Sequence, residues 1–264
     1  MENMIPPESQ EHLSAIESIG YEALAEVAHA YGDGSGSIRP EVRDLAYHNL
    51  NHTTRVQNAA RTLARDMQLS PYDQALAATI ASAHDVIHDR IDDILPESAS
   101  AAWLTTRMQE MHLPAEDIEI AELAIMSTVC TLDDQGRLLQ YYGQIMFPNE
   151  RSAQIAACVA SADMEALASA HGPRVGHDLF RERLGYKAQE LPPSLDDLAA
   201  FQEEQVQLLD TYSYPYPGAE LLFGGLRRHA YLFHLSLLQD IEQGRITTWQ
   251  QVAQADEAFY NQYA

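Results

Sequence analysis

The sequence has few basic side chains and almost no cysteine. Its 264 residues include 16 basic and 39 acidic ones, which gives a formal net charge of -23 at pH 7. That charge repels DNA, RNA and anionic membrane surfaces, so we expect no polymeric nucleic acid as a partner. The two cysteines, Cys130 and Cys158, lie in apolar stretches. This setting favours reduced core residues of a cytoplasmic protein over a disulfide.

Long apolar segments are also missing. No run reaches the roughly 18 apolar residues of a membrane-spanning helix, and the N-terminal letters MENMIPPESQ lack the basic segment and apolar core of a signal peptide. We therefore predict a soluble, cytoplasmic protein with no membrane partner. Because 46% of the residues are hydrophobic, the chain can bury a core without disulfides.

The third absence is that of strand patterns. No run alternates apolar and polar residues for long enough to predict a sheet. Apolar residues instead recur every three or four positions, with glycine, proline and serine between the runs, which predicts an all-α fold. The predicted helices cover residues 13–31, about 40–67, 70–85, 97–112, 115–128, 150–170, 174–184, 194–210, 218–243 and 247–262.

The domain organisation follows from the spacing of these helices. No internal repeat, low-complexity tract or long linker divides the chain. We predict a helical core with an N-terminal helix over residues 1–170. Residues 171–264 are predicted to form a C-terminal helical extension that packs on the core and is not independent.

Two short motifs carry histidines at helical spacing. The motif YHNLNH contains His48 and His52, and AHDVIH contains His84, Asp85 and His88. A helix returns to the same face after four residues, so each pair is expected to project together from its helix. Imidazole nitrogens and carboxylate oxygens on neighbouring helices are suitable ligands for a divalent cation. Taken singly, each histidine is more often a surface or hydrogen-bonded core residue.

The order of these motifs resembles the HD superfamily of metal-dependent phosphohydrolases. The first motif is similar to the YHNxxH of predicted HD phosphohydrolases and cyclic-nucleotide phosphodiesterases, and the doublet His84-Asp85 follows an apolar helix as it does there. We match the last aspartate of the pattern to Asp163 in ASADMEALA. The likeness covers roughly residues 40–170.

The resemblance implies an HD-domain helical bundle with one divalent metal ion, for which Mn, Mg, Fe, Ni, Co and Zn are candidates. It implies hydrolysis of a phosphoester bond by metal-activated water, with a small phosphorylated metabolite, in particular a nucleotide, as substrate. His48 is expected to protonate the leaving oxygen, while Asp85 orients the water. The implied metal ligands are His52, His84, Asp85 and Asp163, and the implied catalytic residues are His48, Asp85 and His88.

The sequence also departs from patterns within the superfamily. Only His112 lies between the doublet and Asp163, whereas two-metal members have more histidines there, so a single metal ion is favoured. In guanosine tetraphosphate hydrolases Glu-Asp follows the doublet three residues later, and here His88-Asp89 takes that place. His88 is expected to support the metal site or to contact substrate phosphate; its alternative is a helix-end or solvent-facing histidine.

Two other cations are candidates for binding substrate phosphate. They are Arg55, one turn beyond His52, and Lys187, which is the sole lysine in the sequence. A solvated side chain is the alternative for Arg55. A second function also stays open, namely a catalytically inactive HD-fold protein that binds nucleotides or serves as a scaffold. Pairing of two chains into a homodimer is compatible with the sequence.

Overall fold

The computed structural model describes residues 7–33, 43–88, 95–132, 138–185 and 193–264. The described helices are α1 (Pro7–Tyr31), α2 (Leu50–Asp66), α3 (Pro71–Ala83), α4 (Pro96–Glu110), α5 (Ala115–Met126), α6 (Glu150–Asp163), α7 (Gly172–Arg183), α8 (Leu195–Thr211), α9 (Pro217–Phe223), α10 (Arg227–Glu242) and α11 (Trp249–Tyr263). The predicted all-α class is confirmed.

Helices α3 and α6 form the centre of the bundle. Every residue of α3 from Ala75 to Ala83 is buried, and so are all residues of α6 from Ile155 to Ala162. Both segments are rich in alanine, and the small side chains let α1, α2 and α5 approach closely while every face loses contact with water. The ends of these two helices are therefore held rigidly inside the protein.

A partly buried arginine network fixes the beginning of α6. The guanidinium of Arg151 donates hydrogen bonds to Asp73 of α3 at 2.8 Å and to Asp117 of α5 at 2.7 Å. Tyr72 donates its hydroxyl hydrogen to the same Asp117. A bidentate cation shared by two carboxylates sets the relative positions of three helices more tightly than apolar packing does.

Two predicted helix boundaries next to the histidine motifs are wrong. Pro40 lies outside the described residues, but residues 43–49 are not helical and α2 begins at Leu50. Asn49 ends the preceding segment in an extended conformation, and its side chain accepts hydrogen bonds from the N–H groups of Asn51 and His52. Likewise α3 ends at Ala83 instead of continuing to residue 85.

A short hairpin replaces the loop predicted near residue 131. Strands β1 (Cys130–Leu132) and β2 (Leu138–Gln140) pair antiparallel, with Thr131 opposite Leu139. Three-residue strands are too short to produce a detectable alternation. The hairpin also corrects one cysteine prediction, because Cys130 is exposed; Cys158 is buried as predicted, and both thiols are free.

The C-terminal extension has a small apolar core and also contributes to the main one. Phe180, Leu198 and Phe201 pack with Leu237 and Val252 into a separate cluster. The segment between α8 and α9 inserts Tyr212 and Tyr214 into the main core, and α9 adds Ala219. The extension is thus packed against the core.

A close approach of backbone brings α7 next to the end of α6. A Cβ on Gly172 would lie 2.6 Å from the carbonyl oxygen of Ala166, in the 3₁₀ turn Glu165–Ala168. Only glycine permits that contact, so the first residue of α7 can lie directly against the turn that follows α6. Within the described residues, none of the helices is long and apolar enough to cross a bilayer.

Candidate metal centre

The four predicted ligands come from helix ends and meet inside the core. His52 is in the first turn of α2, His84 and Asp85 directly follow α3, and Asp163 is the last residue of α6. The Nε2 atom of His52 lies 3.3 Å from Asp85 Oδ2 and 3.4 Å from Asp163 Oδ1. The Nε2 atom of His84 lies 3.0 Å and 3.3 Å from the same two oxygens. The structure therefore brings together residues that are 111 positions apart in sequence.

The two imidazoles are oriented as metal ligands. His84 donates its Nδ1 hydrogen to the carbonyl oxygen of Ala81 at 2.7 Å, which leaves Nε2 with a lone pair directed at the carboxylates. The ring of Tyr47 packs at 4.5 Å, between centroids, against the ring of His52. Both Nε2 atoms are buried and form no hydrogen bond. A buried polar atom of this kind requires a partner, and one metal ion could be the partner of both.

The distances between donor atoms fit one divalent ion. Ligand atoms bound at about 2.1 Å are separated by about 3.0 Å in an octahedral site and by about 3.4 Å in a tetrahedral one. The four nitrogen-to-oxygen distances span the same interval, from 3.0 to 3.4 Å. His52, His84 and Asp163 can therefore hold a metal ion. The position of Asp85 Oδ2 supplies a fourth donor.

The electrostatics of the centre favour positive charge. Asp85 and Asp163 lie at the carbonyl ends of helices, which carry partial negative charge, so ionised carboxylates there need a compensating cation. Burial raises the pKa of both carboxyl groups, but the imidazoles of His84 and His52 outweigh it and hold both pKa values well below their usual range. Burial lowers the pKa of His84, yet the two carboxylates raise it well above its usual value.

His48 and His88 lie beside this centre, outside the helices predicted to carry them. Their rings stack at 3.8 Å between centroids. The Nε2 atom of His48 faces Asp85 Oδ2 at 3.9 Å, and its Nδ1 atom donates to Glu182 Oε1 at 2.5 Å. Nε2 of His88 lies 3.3 Å from the same oxygen of Glu182, while its backbone N–H donates to Tyr31. The carboxylate of Glu182, from the C-terminal extension, therefore contacts both histidines, and no motif in the sequence indicated this.

A cavity of about 630 Å³ opens onto the candidate ligands. Helices α7 and α8 of the extension form one of its walls, and His48, His84 and Asp85 form part of the other. The cavity is also lined by Arg43, Arg183 and Glu97.

Glu97 is a further carboxyl group that the sequence did not single out for function. It is the second residue of α4 and lines the cavity. Burial raises its pKa, and the negative charges of Asp85 and Asp163 raise it further. Proximity to the two acidic ligands, rather than any motif, makes it a candidate proton donor.

The two cations predicted to bind phosphate do not appear in the described cavity wall. Arg55 donates its Nε hydrogen to Glu165 at 2.9 Å, and no part of it lines the cavity as far as the structure describes it. This geometry gives no support to a contact with substrate. Lys187 lies outside the described residues. Arg43 and Arg183, which line the cavity, were missed because isolated arginines in amphipathic segments carry no distinguishing pattern.

Comparison with known proteins identifies a related fold. No protein-family model matches the sequence, and no curated protein does. The structure is similar to Bacillus subtilis YpgQ, whose crystal structure was solved in complex with ADP, with a TM-score of 0.52 and 14% identity over 89% of this chain and 96% of YpgQ. A Lactobacillus plantarum protein solved by structural genomics gives a TM-score of 0.52 and 16% identity over 91% of this chain and 98% of its own. At these identities the likeness shows a common fold.

Proposed function

We propose that the protein is a metal-dependent phosphohydrolase of the HD superfamily that cleaves a phosphoester bond of a small nucleotide. The observation that carries the proposal is the convergence of His52, His84, Asp85 and Asp163 with two buried Nε2 atoms that lack hydrogen bonds. Asp85 is buried and Asp163 is partly buried, and two such carboxylates beside each other are costly to keep ionised, so a purely structural role explains them poorly.

The cavity supports a nucleotide as the substrate class. Its volume of about 630 Å³ is within the range of small-molecule sites. Leu167, Val175 and Leu208 offer an apolar surface for a base, and Arg43 and Arg183 supply positive charge for phosphate. The ADP bound to YpgQ, a protein of similar fold, is consistent with this assignment. Five carboxylates also line the cavity, so the binding of an anion there would depend on the two arginines together with a bound metal ion.

The residues of the chain divide the chemistry between them. His52, His84, Asp85 and Asp163 would hold one divalent ion, with Mn, Mg, Fe, Ni, Co and Zn as candidates. When bound, such an ion lowers the pKa of water and polarises the phosphoryl group. Asp85 accepts a hydrogen bond from the attacking water and orients it. His48, whose Nε2 atom faces Asp85 across 3.9 Å, donates a proton to the leaving oxygen.

His88 and Glu97 have secondary roles in this proposal. The ring of His88 stacks on that of His48 and restricts its rotation, and its position at the cavity allows contact with substrate phosphate. Glu97 faces the same cavity and offers a second proton donor, because burial and the neighbouring carboxylates raise its pKa. Both assignments depend on the hydrolase activity.

The alternative function is a catalytically inactive protein that binds a nucleotide in the same cavity. The presence of His48 beside four suitable ligands favours catalysis, because binding alone needs no proton donor at the metal centre. Both functions predict nucleotide binding, but only the hydrolase turns its substrate over. An activity assay therefore distinguishes them.

A substrate screen tests the proposal. The protein would be incubated with each of the six metal ions and with nucleoside mono-, di- and triphosphates, cyclic nucleotides and simple phosphodiesters. We expect turnover of at least one nucleotide, and we expect Asp85→Ala to abolish it while the exposed variant Asp210→Ala retains it. Nucleotide binding without any turnover that depends on Asp85 would support the inactive protein instead.

A further inference from the structure

The carboxylate of Glu182 has contacts that packing alone does not require. It projects from α7 in the C-terminal extension to the segment before α2, 134 positions away in sequence. Its Oε2 atom accepts the backbone N–H groups of Tyr47 at 2.8 Å and of His48 at 3.0 Å. Its Oε1 atom accepts the Nδ1 hydrogen of His48 at 2.5 Å and lies 3.3 Å from His88 Nε2.

These contacts determine the tautomer of His48, that is, which ring nitrogen donates to Glu182 and which faces the cavity. Since the Nδ1 hydrogen points at Glu182, the Nε2 atom is the one that faces Asp85 and the cavity. The two backbone hydrogen bonds prevent the main chain at residues 47 and 48 from turning, and the stacked ring of His88 closes the opposite face. Contacts therefore hold the backbone of His48, one edge of its ring and one face of its ring.

The alternative for this cluster is a second cation shared by His48, His88 and Glu182, whose donor atoms lie within 4.8 Å of one another. Two atoms bound to one ion at about 2.1 Å cannot approach much closer than about 3.0 Å. The 2.5 Å between Glu182 Oε1 and His48 Nδ1 is shorter than that and matches a hydrogen bond to a charged group. Oε2 is already satisfied by two N–H donors. The cluster is thus a hydrogen-bonded network.

We propose that Glu182 is a positioning residue that orients His48 for proton transfer to the leaving oxygen and thereby makes the C-terminal extension part of the catalytic apparatus. This inference rests on the proposed hydrolase function. As water bonds to phosphorus and gives up one proton, the bond from phosphorus to the leaving oxygen breaks. The leaving oxygen keeps the electron pair and takes the Nε2 proton of His48. Throughout, His48 keeps its Nδ1 hydrogen on Glu182, whose negative charge opposes the lowering of the His48 pKa by burial.

The test compares Glu182→Gln with wild type, with Glu203→Gln on an exposed position of α8 as control. A glutamine oxygen can still accept the backbone N–H groups, but its NH₂ group then faces His48 Nδ1 and forces the hydrogen to Nε2. Long-range proton–nitrogen NMR spectra report this tautomer without any turnover, and the His48 signals are assigned by their loss in His48→Ala. We expect a protonated Nδ1 in wild type and in the control, and an unprotonated Nδ1 in Glu182→Gln.

Kinetics provide the second measurement. With a substrate from the screen, Glu182→Gln should lower kcat by about 10- to 100-fold, as loss of a supporting contact does elsewhere, with KM and bound metal nearly unchanged. In the His48→Ala background the same substitution should have no further effect on kcat. An unchanged tautomer, or an equal loss of kcat in both backgrounds, would overturn the positioning role. If the tautomer changes but wild type turns over no substrate, the positioning stands and only the hydrolase proposal falls.

Discussion

The protein buries histidine pairs in two places, one in the N-terminal core and one in the C-terminal extension, and the two sites have different chemistry. The metal centre consists of His52, His84, Asp85 and Asp163. The extension cluster consists of His177, Gln202, His234 and Asp256. In both, the imidazoles are almost inaccessible to solvent, since His84 and His234 are each 1% exposed.

The extension cluster is a chain of ordinary hydrogen bonds. Gln202 donates its Nε2 hydrogen to His177 Nε2 at 3.0 Å, and its Oε1 atom accepts the Nδ1 hydrogen of His234 at 2.6 Å. His177 in turn donates its Nδ1 hydrogen to Asp256 at 2.8 Å. The metal centre instead leaves the Nε2 atoms of His52 and His84 without hydrogen bonds.

The partner shared by the two histidines accounts for this difference. In the extension an uncharged amide lies between them, so burial dominates and lowers the pKa of His234 to about 3, with a smaller contribution from His177. In the core two carboxylates lie between them, and the pKa of His84 is raised well above its usual value in spite of burial. We therefore expect a buried histidine pair to bind a cation where carboxylates, and not an amide, lie between the two rings.

Removal of a ligand from the metal centre should have the largest effect. We expect His84→Ala to lose the bound metal and to lower kcat/KM by at least about 10⁴-fold, because activation of water and polarisation of phosphate are each worth several kcal/mol. His234→Gln should retain the full metal content. Elemental analysis of the purified variants measures the metal, and a loss of metal in His234→Gln would contradict the distinction between the two clusters.

Substitution of His48 should separate catalysis from metal binding. His48→Ala is expected to keep its metal and to lower kcat by about 10²- to 10³-fold, since only the proton donor is lost. The loss should shrink for an ester whose leaving group is acidic enough to depart without a proton. Metal content and kcat are measured on the same preparation. If metal disappears with His48, this histidine is a ligand and its role as acid is wrong.

The extension cluster should make stability depend on pH. The folded-state pKa of His234 is about 3, below the roughly 6.5 of an unfolded histidine, so only the unfolded state takes up this proton in between. The stability that neutral His234 contributes is therefore fully present above about pH 6.5 and decreases as the pH falls. We expect a loss of about 1 kcal/mol in the free energy of unfolding between pH 6.5 and 5.5, measured by urea denaturation as the difference between wild type and His234→Gln.

The variant Gln202→Glu tests the cause of that dependence. It places a carboxylate between His177 and His234, as in the metal centre, and should raise the pKa of His234 by roughly 1 to 3 units. The pH-dependent loss then moves to lower pH. Gln239→Glu, on an exposed face of α10, serves as the control. If the pH dependence is unchanged in Gln202→Glu, the amide of Gln202 does not determine the pKa of His234.

Much of the site was accessible from sequence because the order of its motifs resembles that of the HD superfamily. The doublet after an apolar helix and the distant Asp163 predicted which side chains meet, and the structure brings them within 3.4 Å of one another's donor atoms. The argument for His48 was less accurate. It assumed a helix from Pro40, whereas Asn49 begins the helix later, so His48 reaches the site from a loop.

Local sequence could determine most of the helices and the all-α class, because each depends on spacing within one segment, whereas the set of candidate ligands came from the resemblance to the HD superfamily. The tertiary structure alone decided that Glu182 orients toward His48, that Arg43 and Arg183 line the cavity while Arg55 pairs with Glu165, and that the histidines of the extension meet an amide. Those contacts join segments far apart in the chain, and a side chain's charge state follows from the neighbours that folding brings to it.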